Sequence, residues 1–82
     1  MDYTELGQQL AQLRKQAGYS QAMLAKYSGV SRATIAGFET GRTTDLGTRK
    51  LIKLLGILRH ELTIREASPR PTFEEIINAQ RD

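Results

Sequence analysis

Three glycines divide the first half of this chain into short segments, and this division constrains the fold more than any other feature. Gly18, Gly29 and Gly41 each follow a stretch in which apolar residues recur at helical spacing. Glycine adopts the left-handed conformation after a helix end at little cost, so each one predicts a helix end. Ser20 and Ser31 follow the first two glycines, and serine is a preferred N-cap. The pattern therefore predicts three short helices joined by tight turns.

Capping residues and apolar spacing predict the limits of four helices. The first helix is expected to begin after Thr4 as N-cap, and the fourth after Asp45 or Thr48, a choice that the sequence leaves open. Residues 41–47 have the composition of a loop. Arg14 is assigned to the polar face of the first helix. The apolar residues that we expect to face the core are Leu6, Leu10, Leu13, Ala17, Met23, Leu24, Tyr27, Ile35, Phe38, Leu51, Ile52, Leu54, Leu55 and Leu58.

After the fourth helix the apolar spacing changes to that of a strand. Leu62 and Ile64 alternate with polar residues across 61–66. A lone strand leaves its N–H and C=O groups unpaired, so we expect it to pair with the same strand of a second copy. The dimer contact would then be formed by Leu62, Thr63 and Ile64. Residues 67–82 are expected to form a tail with a short helix.

The charge distribution favours a polyanionic ligand for the body of the chain. The net charge is +3, and nine of the 12 basic residues but only four of the nine acidic residues lie in 1–60. An ordinary charged surface explains the same numbers equally well.

Several functional classes lack the residues that they need. The chain has no cysteine and a single histidine, His60, so it offers no thiolate metal site, disulfide or paired-histidine site. Its longest apolar stretch is far shorter than a membrane span. We therefore expect a cytoplasmic protein that is not an enzyme and binds no metal or cofactor.

The two short helices within residues 20–40 have the spacing of a helix-turn-helix, whose second helix fits the major groove of DNA. Gly29 supplies the flexible residue of the turn, and Val30 supplies the buried apolar residue that must follow it. Ala25 is small enough for the second helix to approach closely, and Ile35 anchors that helix. Each feature alone is weak, but their joint spacing is specific.

A longer set of residues extends this motif, namely Leu10, Leu13, Arg14, Ser20, Gln21, Leu24, Ala25, Gly29, Val30, Ser31, Thr34, Ile35, Phe38, Glu39, Gly41 and Arg42. With them, residues 6–58 resemble the helix-turn-helix of phage repressors and Cro proteins, the Xre type. The resemblance implies a mainly α, compact, lambda-repressor-like DNA-binding domain of four to five helices. We expect this domain to span 1–60, the dimerising strand 61–66 and the tail 67–82.

The resemblance also implies which residues meet DNA: Gln21, Ser31, Arg32, Ala33, Thr34, Gly37 and Arg42. Gln21 matches a position that touches phosphate and the first base pairs. Arg32 faces base edges and can bind guanine through two hydrogen bonds. Ser31 and Arg42 match positions that contact backbone phosphates.

The remaining positions of the second motif helix carry short side chains. Ala33 and Gly37 face base edges, and Thr34 is suited to a phosphate, a base or a thymine methyl group. Ala33, Ala36 and Gly37 depart from relatives that carry longer polar residues there. Direct readout would then rest on few side chains, with DNA shape supplying the rest. Glu39 is expected to serve the structure, as a cap or a salt-bridge partner.

The strand after the fourth helix resembles that of HipB-like antitoxins, in which it forms a small intersubunit sheet. This resemblance implies a homodimeric repressor of a palindromic operator, acting as the antitoxin of a type II pair with a HipA-like kinase as toxin. Arg59 and His60 depart from the Leu-Gly turn of many relatives. Two alternatives stay open: a solo Xre-type regulator, phage-derived or controlling a restriction-modification system, and a protein-interaction module that has lost DNA binding.

Overall fold

The computed structural model describes residues 1–42 and 45–67, and within these ranges it contains four α-helices and no β-strand. The helices are α1 (Tyr3–Gln16), α2 (Gln21–Ser28), α3 (Arg32–Glu39) and α4 (Thr48–Ile57). α3 packs against α1 and α2, and α4 packs against α2. The predicted mainly helical fold is confirmed. The predicted tail helix lies outside the described residues.

Serine side chains begin α2 and α3, as the sequence predicts. Ser20 Oγ accepts a hydrogen bond from Met23 N–H at 3.0 Å, and Ser31 Oγ accepts one from Thr34 N–H at 3.1 Å. Each bond satisfies a backbone donor that the start of a helix leaves without an intrahelical partner. The two helices of the motif therefore have well-defined starts.

The other predicted caps are wrong. α1 begins two residues earlier than expected, because the carboxylate of Asp2 accepts the Glu5 N–H at 2.8 Å. Thr4 therefore lies inside the first turn of α1. Gly47 is the N-cap of α4 without a side-chain bond, so neither Asp45 nor Thr48 caps that helix.

Residues from the four helices and three residues outside them, Val30, Leu46 and Leu58, form a single hydrophobic core. Its buried apolar residues are Leu10, Leu24, Val30, Ile35, Phe38, Leu46, Leu51, Leu54, Leu55 and Leu58. Leu6 and Leu13 pack against this cluster while remaining partly exposed. Leu46 comes from the loop and is missing from the predicted core. Its N–H donates to the hydroxyl of Tyr3, whose ring meets that of Phe38 edge-on at 5.2 Å.

Four residues predicted for the core are exposed instead: Ala17, Met23, Tyr27 and Ile52. Ala17 is the C-cap of α1, beyond its last full turn. The other three lie beside buried residues on helices of only eight or ten residues. Successive residues of a helix point about 100° apart, so two neighbouring positions seldom both face inward. Because these helices have few turns, the apolar pattern predicts a wider buried face than the structure has.

α1 and α3 approach each other closely at Gly7. A Cβ atom on Gly7 would lie 2.1 Å from the carbonyl oxygen of Phe38, which is far inside van der Waals contact. The neighbouring atoms belong to the backbone of α3 and have no side-chain freedom to move aside. Glycine at this position therefore sets the distance between the two helices.

The end of α4 keeps the geometry of a glycine turn although no glycine is present. Arg59 adopts a positive φ of 61°, which costs a non-glycine residue roughly 1–2 kcal/mol. Arg59 N–H donates to the Gly56 carbonyl at 3.1 Å, and His60 N–H donates to the Leu55 carbonyl at 2.8 Å. These are the two bonds of a Schellman motif. Arg59 therefore ends α4 in the left-handed conformation that glycine usually supplies at this place.

Residues 60–67 have no regular secondary structure in the single chain, and each of them is exposed. The strand predicted for 61–66 requires a second chain as its hydrogen-bonding partner, so its formation stays a prediction. None of the helices in the ranges given above is both long and apolar enough to cross a membrane.

Replacing Gly7 by alanine should lower the free energy of unfolding by about 1–3 kcal/mol, because the new methyl group collides with the α3 backbone. Helix propensity alone would instead predict that Gly7→Ala raises the free energy of unfolding by about 1 kcal/mol. Gly56→Ala is the matched control, since Gly56 also lies inside a helix and a Cβ there meets nothing within 4 Å. Gly56→Ala should raise the free energy of unfolding by about 1 kcal/mol. Urea denaturation compares the two, and stabilisation of both would contradict close packing of α1 on α3.

Candidate nucleic-acid interface

The turn between α2 and α3 is held by one buried hydroxyl. Gly29 takes a φ of 74°, the left-handed conformation predicted for it. Ser28 Oγ accepts the Val30 N–H at 3.0 Å and points its own proton at the Ala25 carbonyl, 3.5 Å away. Val30 is buried directly after the turn, as predicted. Ser28 was missed, because serine ahead of a glycine looks like an ordinary helix end.

α3 is buried on one side and open on the other. Ile35 and Phe38 are both 0% exposed and face the core. On an ideal helix the side opposite them carries Ala33, Ala36 and Gly37. Ala33 is exposed, and the other two are partly exposed. With no long side chain on that side, the backbone of α3 can come close to another surface.

Arg32 and Thr34 lie on the two flanks of this open side. Arg32 is exposed in the first turn, and Thr34 is partly exposed. Ser31 Oγ donates to Thr34 Oγ1 at 2.7 Å while accepting the Thr34 N–H. A hydroxyl has one proton, so that of Ser31 is used inside the protein. The proton of Thr34 is directed away from Ser31 and is available to an outside acceptor.

Gln21, at the start of α2, belongs to a buried polar network. Its Nε2 donates to Glu39 Oε1 at 3.0 Å. The same carboxylate accepts two bonds from Arg14, Nε to Oε2 at 2.7 Å and Nη2 to Oε1 at 2.8 Å. Arg14 Nη1 donates to the Tyr19 carbonyl at 2.8 Å. The network therefore joins α1, the start of α2 and the end of α3.

This arrangement confirms that Glu39 is a salt-bridge partner inside the fold, and it corrects the placement of Arg14. Arg14 was assigned to a polar, solvated face, yet only 9% of its side chain and 5% of that of Glu39 are exposed. The spacing pattern treats every charge as outward-facing, and a buried ion pair breaks that rule. The burial of Arg14 could have been suspected from one signal in the sequence: Arg14 and Glu39 both belong to the set of residues that carries the Xre-type resemblance.

Both partners of the ion pair stay charged. Burial by itself raises the pKa of the Glu39 carboxyl. Hydrogen bonds from Arg14 and Gln21 and the positive charges of Arg14 and Lys15 lower this pKa, and their combined effect is larger, so the net shift is downward. The hydrogen bond to Glu39 raises the pKa of the Arg14 guanidinium against the effect of its burial.

The structure gathers most of the sequence-predicted DNA residues on one element. Ser31, Arg32, Ala33, Thr34 and Gly37 lie on α3 or at its N-cap. The others are placed at either end of the motif. Gln21 opens α2, and Arg42 is exposed just beyond α3, with its N–H donating to the Gly37 carbonyl at 2.8 Å.

The predicted dimer residues occupy a separate segment. Leu62, Thr63 and Ile64 follow α4 in the irregular stretch and are exposed. Leu62 is 47% exposed and Ile64 is 98% exposed.

Comparison with known families agrees with this geometry. Residues 10–63, about two thirds of the chain, match the helix-turn-helix family, and the chain therefore belongs to that family. Membership supports the Xre/Cro-type resemblance and identifies a DNA-binding transcriptional regulator. No curated protein matches the chain at a significant level.

Glu39→Gln should lower the free energy of unfolding by about 3 kcal/mol at neutral pH, because it leaves the Arg14 charge buried without a counter-charge. Since folding lowers the pKa of Glu39, its stabilisation is fully present above the ordinary value of about 4.5 and is lost as the pH falls through the folded value. The wild-type protein should therefore lose stability on acidification more steeply than the variant.

Denaturation with urea at several pH values measures this difference. Glu5→Gln is the matched control, because Glu5 is exposed on α1 outside the proposed dimer segment, and it should change stability by less than about 1 kcal/mol. Parallel acid profiles for the wild-type protein and Glu39→Gln would show that the ion pair does not govern acid stability.

Proposed function

We propose that this chain is a homodimeric repressor that binds a palindromic duplex, with α3 of each copy in the major groove. The observation that carries the proposal is the two-sidedness of α3. Its inner side is completely buried through Ile35 and Phe38, while its outer side is open and flanked by Arg32. A helix that is packed on the core along one side and exposed along the other has the shape that groove binding requires.

The proposed contacts divide into base readout and phosphate binding. Arg32 reads a guanine through its two-pronged guanidinium, and Ala33 and Gly37 face base edges with little chemistry of their own. Thr34 donates its free proton to an acceptor on DNA, and Arg42 binds a backbone phosphate. With so few reading side chains, sequence-dependent DNA shape supplies much of the remaining specificity.

Arg32→Ala should cost about 1–3 kcal/mol on the preferred duplex and relax the preference at one or two base pairs. Titration against a panel of single-base variants of a selected site measures this effect. Equal weakening on every sequence would show that Arg32 contacts only phosphate.

Arg42→Ala should weaken binding to all sequences alike and reduce the salt dependence of log K by roughly one unit, because one phosphate contact is lost. Lys26→Ala is the control, since Lys26 is exposed on α2 outside the proposed contacts and should leave the slope unchanged. An unchanged slope for Arg42→Ala would remove Arg42 from the interface.

The homodimer is proposed from the segment after α4. Leu62 and Ile64 are apolar and exposed, and the backbone of 61–66 forms no ladder with residues 1–42 or 45–67 of the same chain. Pairing with the same segment of a second copy would cover both side chains and satisfy the backbone donors and acceptors. A two-fold dimer also explains why the operator should be palindromic, with half-sites about one helical turn or a multiple apart.

Leu62→Asp should convert the dimer into monomers, because a buried carboxylate at the pairing surface lacks a partner. Light scattering measures the mass directly. Met23→Asp is the matched control, since Met23 is a similarly exposed apolar residue on α2, and it should remain dimeric. A Leu62→Asp variant that stays dimeric would reject strand pairing.

The finer proposal is an antitoxin role with a HipA-like kinase as toxin, which rests on the resemblance of the segment after α4 to HipB-like antitoxins. Purification of the chain from its native host tests it: an antitoxin brings a kinase with it in stable stoichiometric complex. A solo Xre-type regulator binds operator DNA without such a partner. A protein-interaction module shows no salt-sensitive binding to duplex DNA.

A further inference from the structure

The side-chain amide of Gln21 is held from inside the protein, and its orientation follows from chemistry. Glu39 Oε1 lies 3.0 Å from the end of this amide. An ionised carboxylate only accepts hydrogen bonds, so the NH₂ end of Gln21 must face it and the carbonyl end must face away. The usual ambiguity between the two ends of a glutamine amide is therefore removed.

The carboxylate that holds Gln21 is itself fixed. Two parallel bonds from the Arg14 guanidinium engage both oxygens of Glu39, a geometry that prevents the carboxylate from rotating. Arg14 is anchored in turn on the Tyr19 carbonyl. Gln21 is partly exposed, so it lies at the outer end of a rigid chain of contacts that begins in α1.

The Nε2 group of Gln21 has two protons, and Glu39 takes one of them. The second remains for a ligand. The first two N–H groups of α2, those of Gln21 and Ala22, also have no partner inside the helix, whereas the Met23 N–H is satisfied by Ser20 Oγ. Donors gathered at the start of a helix favour an anion, and on duplex DNA that anion is a phosphate.

We propose that Glu39 is a positioning residue for DNA binding: it aims the free Nε2 proton of Gln21 at a backbone phosphate before DNA arrives. This inference rests on the proposed DNA-binding function and adds a role for the buried ion pair. A glutamine with free rotamers must be ordered on binding, and that ordering reduces affinity. Prior fixation by Glu39 removes most of this loss.

A double-mutant cycle tests the coupling with the full-length chain on its preferred duplex. Gln21→Ala should weaken binding of the wild-type protein about tenfold. The combined variant Arg14→Met/Glu39→Leu replaces the ion pair with apolar side chains, an exchange that often preserves stability. On that background Gln21→Ala should cost less than about twofold, because the amide is no longer aimed. An equal cost on both backgrounds would overturn the proposal.

The phosphate is tested by replacing single phosphates of the duplex with neutral methylphosphonates. At one position the wild-type protein should lose several-fold more affinity than Gln21→Ala, which keeps only the backbone N–H groups as donors to that phosphate. If no position behaves in this way, the amide does not bind phosphate and the proposal is wrong. If the wild-type protein shows no salt-sensitive binding to DNA at all, both this proposal and the proposed DNA-binding function are wrong.

A measurement on the free wild-type protein keeps the proposal testable even if the combined variant does not fold. The ¹⁵N order parameter of the Gln21 side-chain amide should approach that of the backbone, whereas that of the exposed Gln12 amide should be low. A Gln21 amide as mobile as that of Gln12 would overturn prior fixation by Glu39.

Discussion

A guanidinium and a carboxylate joined at 2.7 Å link the end of α1 to the end of α3, and nearly all of both side chains is covered. Charges in such a place are costly unless each finds its partner, so Arg14 and Glu39 specify how α1 and α3 meet. The close approach at Gly7 acts on the same pair of helices from the other end of α1. Together these contacts fix α3 against the body, and the orientation of its outer side follows.

The firm packing of the buried side of α3 and the short side chains on its open side have related consequences. Ser28 and Gly29 set the turn, Ile35 and Phe38 fill the core, and the open side carries small residues. A helix with short side chains reads DNA partly through how closely its backbone approaches, and close approach demands precise placement. Under the proposed function, the buried contacts would therefore serve recognition as well as stability.

Much of the fold could be predicted because its signals are local. The ends at Gly18, Gly29 and Gly41 all have positive φ, and the caps at Ser20 and Ser31 form as expected. The errors at Met23, Tyr27 and Ile52 share a cause. On short helices the apolar pattern cannot distinguish a core residue from its neighbour, so it predicts these three exposed side chains to lie in the core. The sequence pattern also located most of the candidate interface, but it could not show that Ser31 uses its proton on Thr34 or that Gln21 touches Glu39.

Residues a few positions apart were enough to determine where α2 and α3 begin, where α1, α2 and α3 end, and that a glycine turn joins α2 to α3. Backbone conformation and capping at these places depend on local energies. The tertiary structure alone decided that Arg14 is buried, that Leu46 enters the core from a loop and which end of the Gln21 amide faces outward. Those outcomes depend on groups distant in sequence, such as Tyr3 for Leu46 and Glu39 for Gln21. Only the packed chain brings such groups within bonding distance.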